Sequence, residues 1–288
     1  MTSPASTPRL RRAAALTLVA AAIALANPFA SGASAATPAS VACPSAVCKV
    51  AVTGQGDAVR VATDNAGHDY QTFSDGRVVE VTTATGATRT VARGLGNLRG
   101  VAADGAGHVF TGDFDGNITK IDLATGSTVR LASGLGSAQG LAYRDGAVYV
   151  AGGSGKLFEV REGAPVRTVA SNIGYSQSIA LDGKGAAYTG DMFTGRILRI
   201  NLAGGAVTTV ATEAYEPDSL SYGPDGRVYF AVSDELHRYD PATGRETLVT
   251  RLSGLYSYLL TIDTQGVAHA ISNAQNGSVW QIEGLTRL

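Results

Sequence analysis

Apolar side chains in this 288-residue chain come in short runs of alternating or paired positions, broken by Gly, Asp, Asn or Thr. Alternation of that kind predicts strands with one face buried, and the breaks predict tight turns between them. The runs also repeat on a longer period. Segments starting at Val61 (VATDNAGHDY), Val101 (VAADGAGHVF), Leu141 (LAYRDGAVYV), Ile179 (IALDGKGAAY), Leu220 (LSYGPDGRVY) and Leu260 (LTIDTQGVAH) align with one another. Their starts lie 40, 40, 38, 41 and 40 residues apart, and a period of about 40 fits one four-stranded blade per unit. In each unit strand a is the apolar run just quoted. Four of the six end it in Asp-x-x-Gly: Asp64 to Gly67, Asp104 to Gly107, Asp182 to Gly185 and Asp263 to Gly266. Both residue types suit a reversal. Strand b alternates small and aromatic residues (HVFTG, AVYVAG, AAYTGD, RVYFAV), and strand c carries apolar pairs such as Ile118 with Ile121 and Ile197 with Ile200. Strand d is a Thr-Val-Ala element at 90–92, 168–170 and 209–211. The pattern predicts an all-β chain, a six-bladed β-propeller of four-stranded blades.

The sixth unit has strands a to c, but only five residues follow Glu283. Its missing outer strand is expected at the other end of the chain. Lys49-Val50-Ala51-Val52 precedes Val61 by the distance at which Thr-Val-Ala precedes the next start elsewhere. The N-terminal strand is therefore predicted to close the last blade and leave no inner edge open. The propeller should span 48–288, with no helix longer than a turn or two.

The first 35 residues stand outside this pattern. Arg9, Arg11 and Arg12 precede an apolar run from Ala13 to Ala26, and Ala33-Ser34-Ala35 offers a small-residue cleavage site. These are the parts of a secretory signal peptide, and the run is shorter than the roughly 20 residues of a membrane span. Export by the general secretory route is expected, and the Ala-rich leader looks like that of a high-GC bacterium. Without it the chain has 20 basic against 24 acidic side chains, a net charge of −4, which recruits neither nucleic acid nor anionic lipid. Residues 36–47 form an arm. Cys43 and Cys48 are the two cysteines, and in an oxidising compartment they are expected to pair as a small clip.

The repeats act as internal controls: a residue recurring at one offset serves the fold, and an outlier is a candidate for the site. His68 and His108 share a place in the a–b turn, and His269 stands where other units carry Tyr or Phe, so all three read as structural. The d–a loops differ from unit to unit. Two residues before each strand-a start come Val59, Arg99, Gln139, Gln177, Asp218 and Tyr258, and four before come Asp57, Asn97, Ser137, Tyr175, Glu216 and Tyr256. Polar groups beside the rings of Tyr175, Tyr215, Tyr256 and Tyr258 suit a sugar or peptide. The candidate binding set is Arg99, Gln139, Tyr175, Gln177, Tyr215, Glu216, Asp218, Tyr256 and Tyr258; the competing reading is that loop positions are polar because they meet water. Asp113 and Asp191 match in blades two and four, and with Asp218 they could hold Ca²⁺ if they converge on the channel. No other cofactor is indicated. A nucleophile elbow, a P-loop and zinc-ligand spacing are absent from the sequence, and no catalytic residue is assigned.

The units GVAADGAGHVFTGDFDGNITKIDLATG and SIALDGKGAAYTGDMFTGRILRIN resemble the NHL repeat. More broadly they are similar to the six-bladed superfamily of SMP-30/gluconolactonase and the paraoxonases, and more distantly to the streptogramin lyases. The resemblance covers about 48 to 288. It implies either of two functions. One is a secreted, monomeric, non-enzymatic module that recognises a glycan, a peptide or a protein partner on its d–a loop face. The other is a metal-dependent hydrolase, lactonase or lyase working at the channel mouth. Against catalysis, the Glu- and Asn-rich ligand set of those hydrolases has no residue-by-residue match. The Glu-x-His of the lyases is replaced by Val267-Ala268-His269.

Overall fold

The computed structural model describes residues 47–213, 216–252, 259–272 and 278–287. Among them are twenty-four strands, β1 to β24 in chain order, and one 3-10 turn at Leu285–Arg287. They form six four-stranded antiparallel sheets. Five are built in chain order, from residues 58–92, 98–132, 138–171, 179–212 and 217–251. The sixth has the order β1-β24-β23-β22. Its outer strand β1 (Val47–Val52) pairs with β24 (Ser278–Glu283), with Cys48 opposite Ile282 and Val50 opposite Trp280. The predicted closure of the last blade by the N-terminal strand is thus present.

Turn chemistry accounts for the repeat. Asp104 Oδ1 accepts the backbone N–H groups of Ala106 and His108 at 2.8 and 2.9 Å. Asp64, Asp182 and Asp263 hold their turns in the same way. In these Asx turns a side chain replaces the backbone partner that the reversal removes. His68 and His108 add a ring nitrogen to the same aspartates, at 2.8 and 2.7 Å. Their role is local, as expected.

Among the described residues the apolar core is a ring of six clusters, each shared by two neighbouring blades. Tyr229, Ala231 and Leu236 of blade five pack with Leu260, Ala270, Trp280 and Ile282 of blade six. Ala58, Phe73 and Val79 of blade one pack with Leu259, Ile271 and Val279 of blade six, with Ala51 and Val52 of β1 alongside. Such close packing needs small residues where strand b meets the next blade. A Cβ on Gly112 would lie 2.5 Å from the Ala138 carbonyl oxygen, and one on Gly190 2.5 Å from Pro217 Cγ. A buried ion pair joins blade six to blade one. His269, in β23 (Ala268–Ser272), brings Nδ1 to 2.8 Å from Asp69 Oδ2, in β3 (His68–Phe73), and Nε2 to 3.3 Å from Asp263 Oδ2. Asp69 is fully buried.

Candidate ligand site at the channel mouth

The inner strands line a central channel. They are β2 (Ala58–Thr63), β6 (Leu98–Ala103), β10 (Ala138–Arg144), β14 (Ile179–Leu181), β18 (Pro217–Tyr222) and β22 (Leu259–Ile262). The cavity between them is about 170 Å³ and takes lining residues from all six blades. That is below the roughly 300 Å³ at which pockets for drug-sized ligands begin. It admits the end group of a ligand rather than a whole one.

The sequence placed the polar ring in loops ahead of strand a, but four of its members lie inside the strand. The pairing of inner strand with strand b slips between Ala58 and Arg60, Leu98 and Gly100, Ala138 and Gly140, and Pro217 and Ser219. Val59, Arg99, Gln139 and Asp218 are therefore bulge residues, extra members with no direct opposite. A bulge leaves one residue unpaired and re-aims side chains. The apolar repeat missed the true starts because one buried residue (Ala58, Leu98, Ala138 or Pro217) pairs before each bulge and breaks the alternation. Blade four departs from this: β14 begins at Ile179, so Gln177 precedes it.

The centre of the site is Arg60, which is not among the polar positions that the repeat singles out. Its guanidinium crosses from blade one to blade four and donates to the Gln177 carbonyl at 3.1 and 3.3 Å and to Gln177 Oε1 at 3.0 Å. It also reaches the Val59 carbonyl at 2.8 Å and Gln139 Oε1 at 3.5 Å. Burial lowers its pKa to about 10, partly offset by Asp218 and Tyr175 and reinforced by the nearby Arg99. At neutral pH it is a cation. The signal was in the repeat all along. At this offset the other units carry Gly100, Gly140, Ser178, Ser219 and Leu259, and blade one alone places a long cation where the others keep a small or apolar residue.

Around Arg60 the predicted residues divide. Gln139 donates from Nε2 to Ser137 Oγ at 3.2 Å and to the Tyr175 hydroxyl. Tyr175 is further fixed by the Met192 N–H on its carbonyl, at 3.0 Å, and by the Phe193 ring at 5.5 Å. Gln177 also contacts Met192 Sδ at 3.5 Å. Arg99 lies with its guanidinium carbon 5.6 Å from the Phe114 ring centre, and its buried Nε meets no acceptor. Phe114 and Phe193 are 54% and 75% exposed, two large apolar rings left in water beside a polar site. Glu216 is exposed just before β18. Tyr215, Tyr256 and Tyr258 lie outside the described residues, as does Cys43.

Asp113 and Asp191 serve turns. Asp113 accepts the Asn117 backbone and side-chain N–H groups at 2.8 and 2.7 Å. Asp191 accepts Arg196 at 2.8 Å together with Thr194 and the Phe193 N–H, and the Arg196 cation and the Thr194 hydroxyl offset its burial and hold its pKa low. Among the described residues these two and Asp218 do not bring ligand atoms within 4.8 Å of one another as a set of three. Among the described residues the one group of three His, Cys, Asp or Glu ligand atoms within 4.8 Å of one another is Glu213, His237 and Glu246.

No protein-family model matches the sequence, and no curated protein matches it. Solved structures do. A gluconolactonase from Xanthomonas campestris superposes with a TM-score of 0.70 at 14% identity, over 82% of this chain and 89% of that one. A streptogramin B lyase gives 0.63 at 12% identity, over 83% and 97%. A chain of a nidogen/laminin complex gives 0.60 at 20% identity, over 67% and 79%. At such identities the likeness shows the fold alone, and what this chain shares with two enzymes and a protein-binding assembly is the β-propeller.

Proposed function

We propose that this chain is a secreted, non-enzymatic recognition propeller whose channel mouth binds the carboxylate end of a sugar acid or a peptide. The observation that carries the reading is Arg60: a guanidinium fixed across the channel, with Arg99 near it and Asp218 as the one acidic neighbour that perturbs it. Two arginines and one carboxylate act on one another at this point of a protein that is otherwise net acidic. Carboxylates match a guanidinium fork. Gln139 and Gln177 supply neutral donors and acceptors. Tyr175, Phe114 and Phe193 offer faces for the rest of the ligand to stack on.

The test is calorimetric titration of oligosaccharides ending in uronic acids, and of short peptides, against their methyl esters or amides. The acid forms should bind, and neutralising the carboxylate should weaken binding by about tenfold or more. Equal binding of acid and ester would refute the assignment.

A further inference from the structure

A second site lies away from the channel, between blades four and five. Glu213 follows β17 (Val207–Thr212) at the outer edge of blade four. His237 is in β20 (Glu235–Asp240) and Glu246 in β21 (Arg245–Arg251), both of blade five. One ligand atom from each comes within 4.8 Å of the others. His237 is almost buried and stacks on Phe230, 5.4 Å between ring centres. Both its nitrogens face carboxylates: Nδ1 is 2.9 Å from Glu246 Oε1 and Nε2 is 2.9 Å from Glu235 Oε2. Glu235 is itself paired with Arg251. Glu213 Oε1 is buried and has no hydrogen-bond donor.

With its N–H given from Nε2 to Glu235, the neutral ring turns the Nδ1 lone pair toward Glu246, and that nitrogen and two carboxylates then converge on a point without a donor between them, which leaves uncompensated negative charge. A cation at that point resolves it. We propose that Glu213, His237 and Glu246 bind a first-row divalent metal ion, with zinc as the probe, and that the ion cross-links blades four and five. Imidazole and carboxylate oxygen are both zinc ligands, and three protein ligands leave a fourth position for water. Glu235 supports the site: by accepting Nε2–H it leaves the Nδ1 lone pair pointing at the metal position, the second-layer arrangement common at metal-bound histidines. The rival is a proton in place of the metal, since burial and the adjacent Glu246 carboxylate raise Glu213 to about 7.

The experiment uses the exported chain stripped with chelator, titrated with Zn²⁺ by calorimetry and with Co²⁺ by visible absorption. We expect saturable binding of one ion per chain at this site, a rise in melting temperature on binding, and Co²⁺ bands of a site with nitrogen and oxygen ligands. E213Q and E246Q should each abolish this binding, and E235Q should weaken it by about tenfold. Because Gln is nearly isosteric with Glu, metal-free E213Q should melt as a folded propeller, which separates loss of the site from loss of the fold. The absence of one-to-one binding in the wild-type protein overturns the proposal. So does binding that E213Q and E246Q leave unchanged, which would place the ion elsewhere, and a proton-only pair would show as E213Q stabilising a wild-type protein that binds no metal.

Discussion

Replacing Arg60 by Met separates the stability of the ring from its ligand chemistry. The substitution keeps the length of the side chain and removes its charge. In the folded protein the guanidinium sits at a pKa of about 10 against 12.5 for a free side chain, chiefly because it is desolvated. A drop of that size corresponds to about 3 kcal/mol against the charged form, and water in the channel screens part of it, leaving roughly 2 kcal/mol. The sign is set by the direction of the shift. Below pH 10 the group is charged in both folded and unfolded chains, so the full penalty acts at neutral pH and diminishes only above that. Against it stand the hydrogen bonds to Gln177, Val59 and Gln139. Their acceptors face the channel and can take water instead, so losing Arg60 costs about 1 kcal/mol there. The variant should therefore be as stable as the parent or more so, by about 1 kcal/mol, a rise of roughly 2–4 °C in melting temperature for a domain of this size. Carboxylate binding should fall by about tenfold to a hundredfold. Thermal denaturation and calorimetry on one preparation measure both. A variant destabilised by more than about 2 kcal/mol would refute the reasoning, because Arg60 would then be a strut and not a ligand group.

His269→Asn should leave Asp69 buried beside a weaker partner and cost about 3–5 kcal/mol, measured by urea denaturation. Its hydrogen bonds to Asp69 and Asp263 outweigh burial and raise the His269 pKa, so its contribution is complete below the unfolded value of 6.5 and is lost as pH rises through the folded value. The difference between parent and variant should thus be larger at pH 5.5 than at pH 9, and the reverse order would exclude the ion pair as its source. Deleting residues 1–52 should expose the edge of β24 and lower the melting temperature by about 10 °C or more; an unchanged melt would show that β1 is dispensable. Gly174 has φ +74°, and a Cβ there would fall 2.1 Å from Asp191 Cγ, so Gly174→Ala should cost about 2 kcal/mol or more by the same denaturation assay.

Blade number, strand content and ring closure were legible because they depend on local rules repeated six times. Asp64, Asp104, Asp182 and Asp263 make the same turn, and one good reading is checked by the next. Gln139, Tyr175 and Gln177 were legible as polar and aromatic members of the variable segments ahead of strand a, and Arg60 and Gln139 connect them in the structure. The bulges were not, since a bulge adds a residue without a residue type to announce it, and the apolar repeat sets the start of strand a three residues late in blades one, two, three and five. Arg60 is hidden for that reason: it stands immediately before the apolar start at Val61, where a channel-facing cation looks like an ordinary first residue of a strand. Glu213 follows a strand of blade four while His237 and Glu246 sit in two strands of blade five, and nothing in their spacing foretells that the fold brings them together.

The joint between β1 and β24 has a consequence in time. Val50 and Trp280 are partners although 230 positions separate them. At about 5–20 residues per second, synthesis leaves the first strand waiting roughly 10–50 s for its mate. Blades one to five can each form from contiguous sequence as they emerge, whereas the circle stays open until the final strand arrives. During that interval a bare strand edge and an apolar face are available to any other chain nearby. Lys49, whose ammonium meets Glu283 at 3.3 Å only after closure, is a charge of the kind that keeps a waiting edge from pairing with the wrong neighbour.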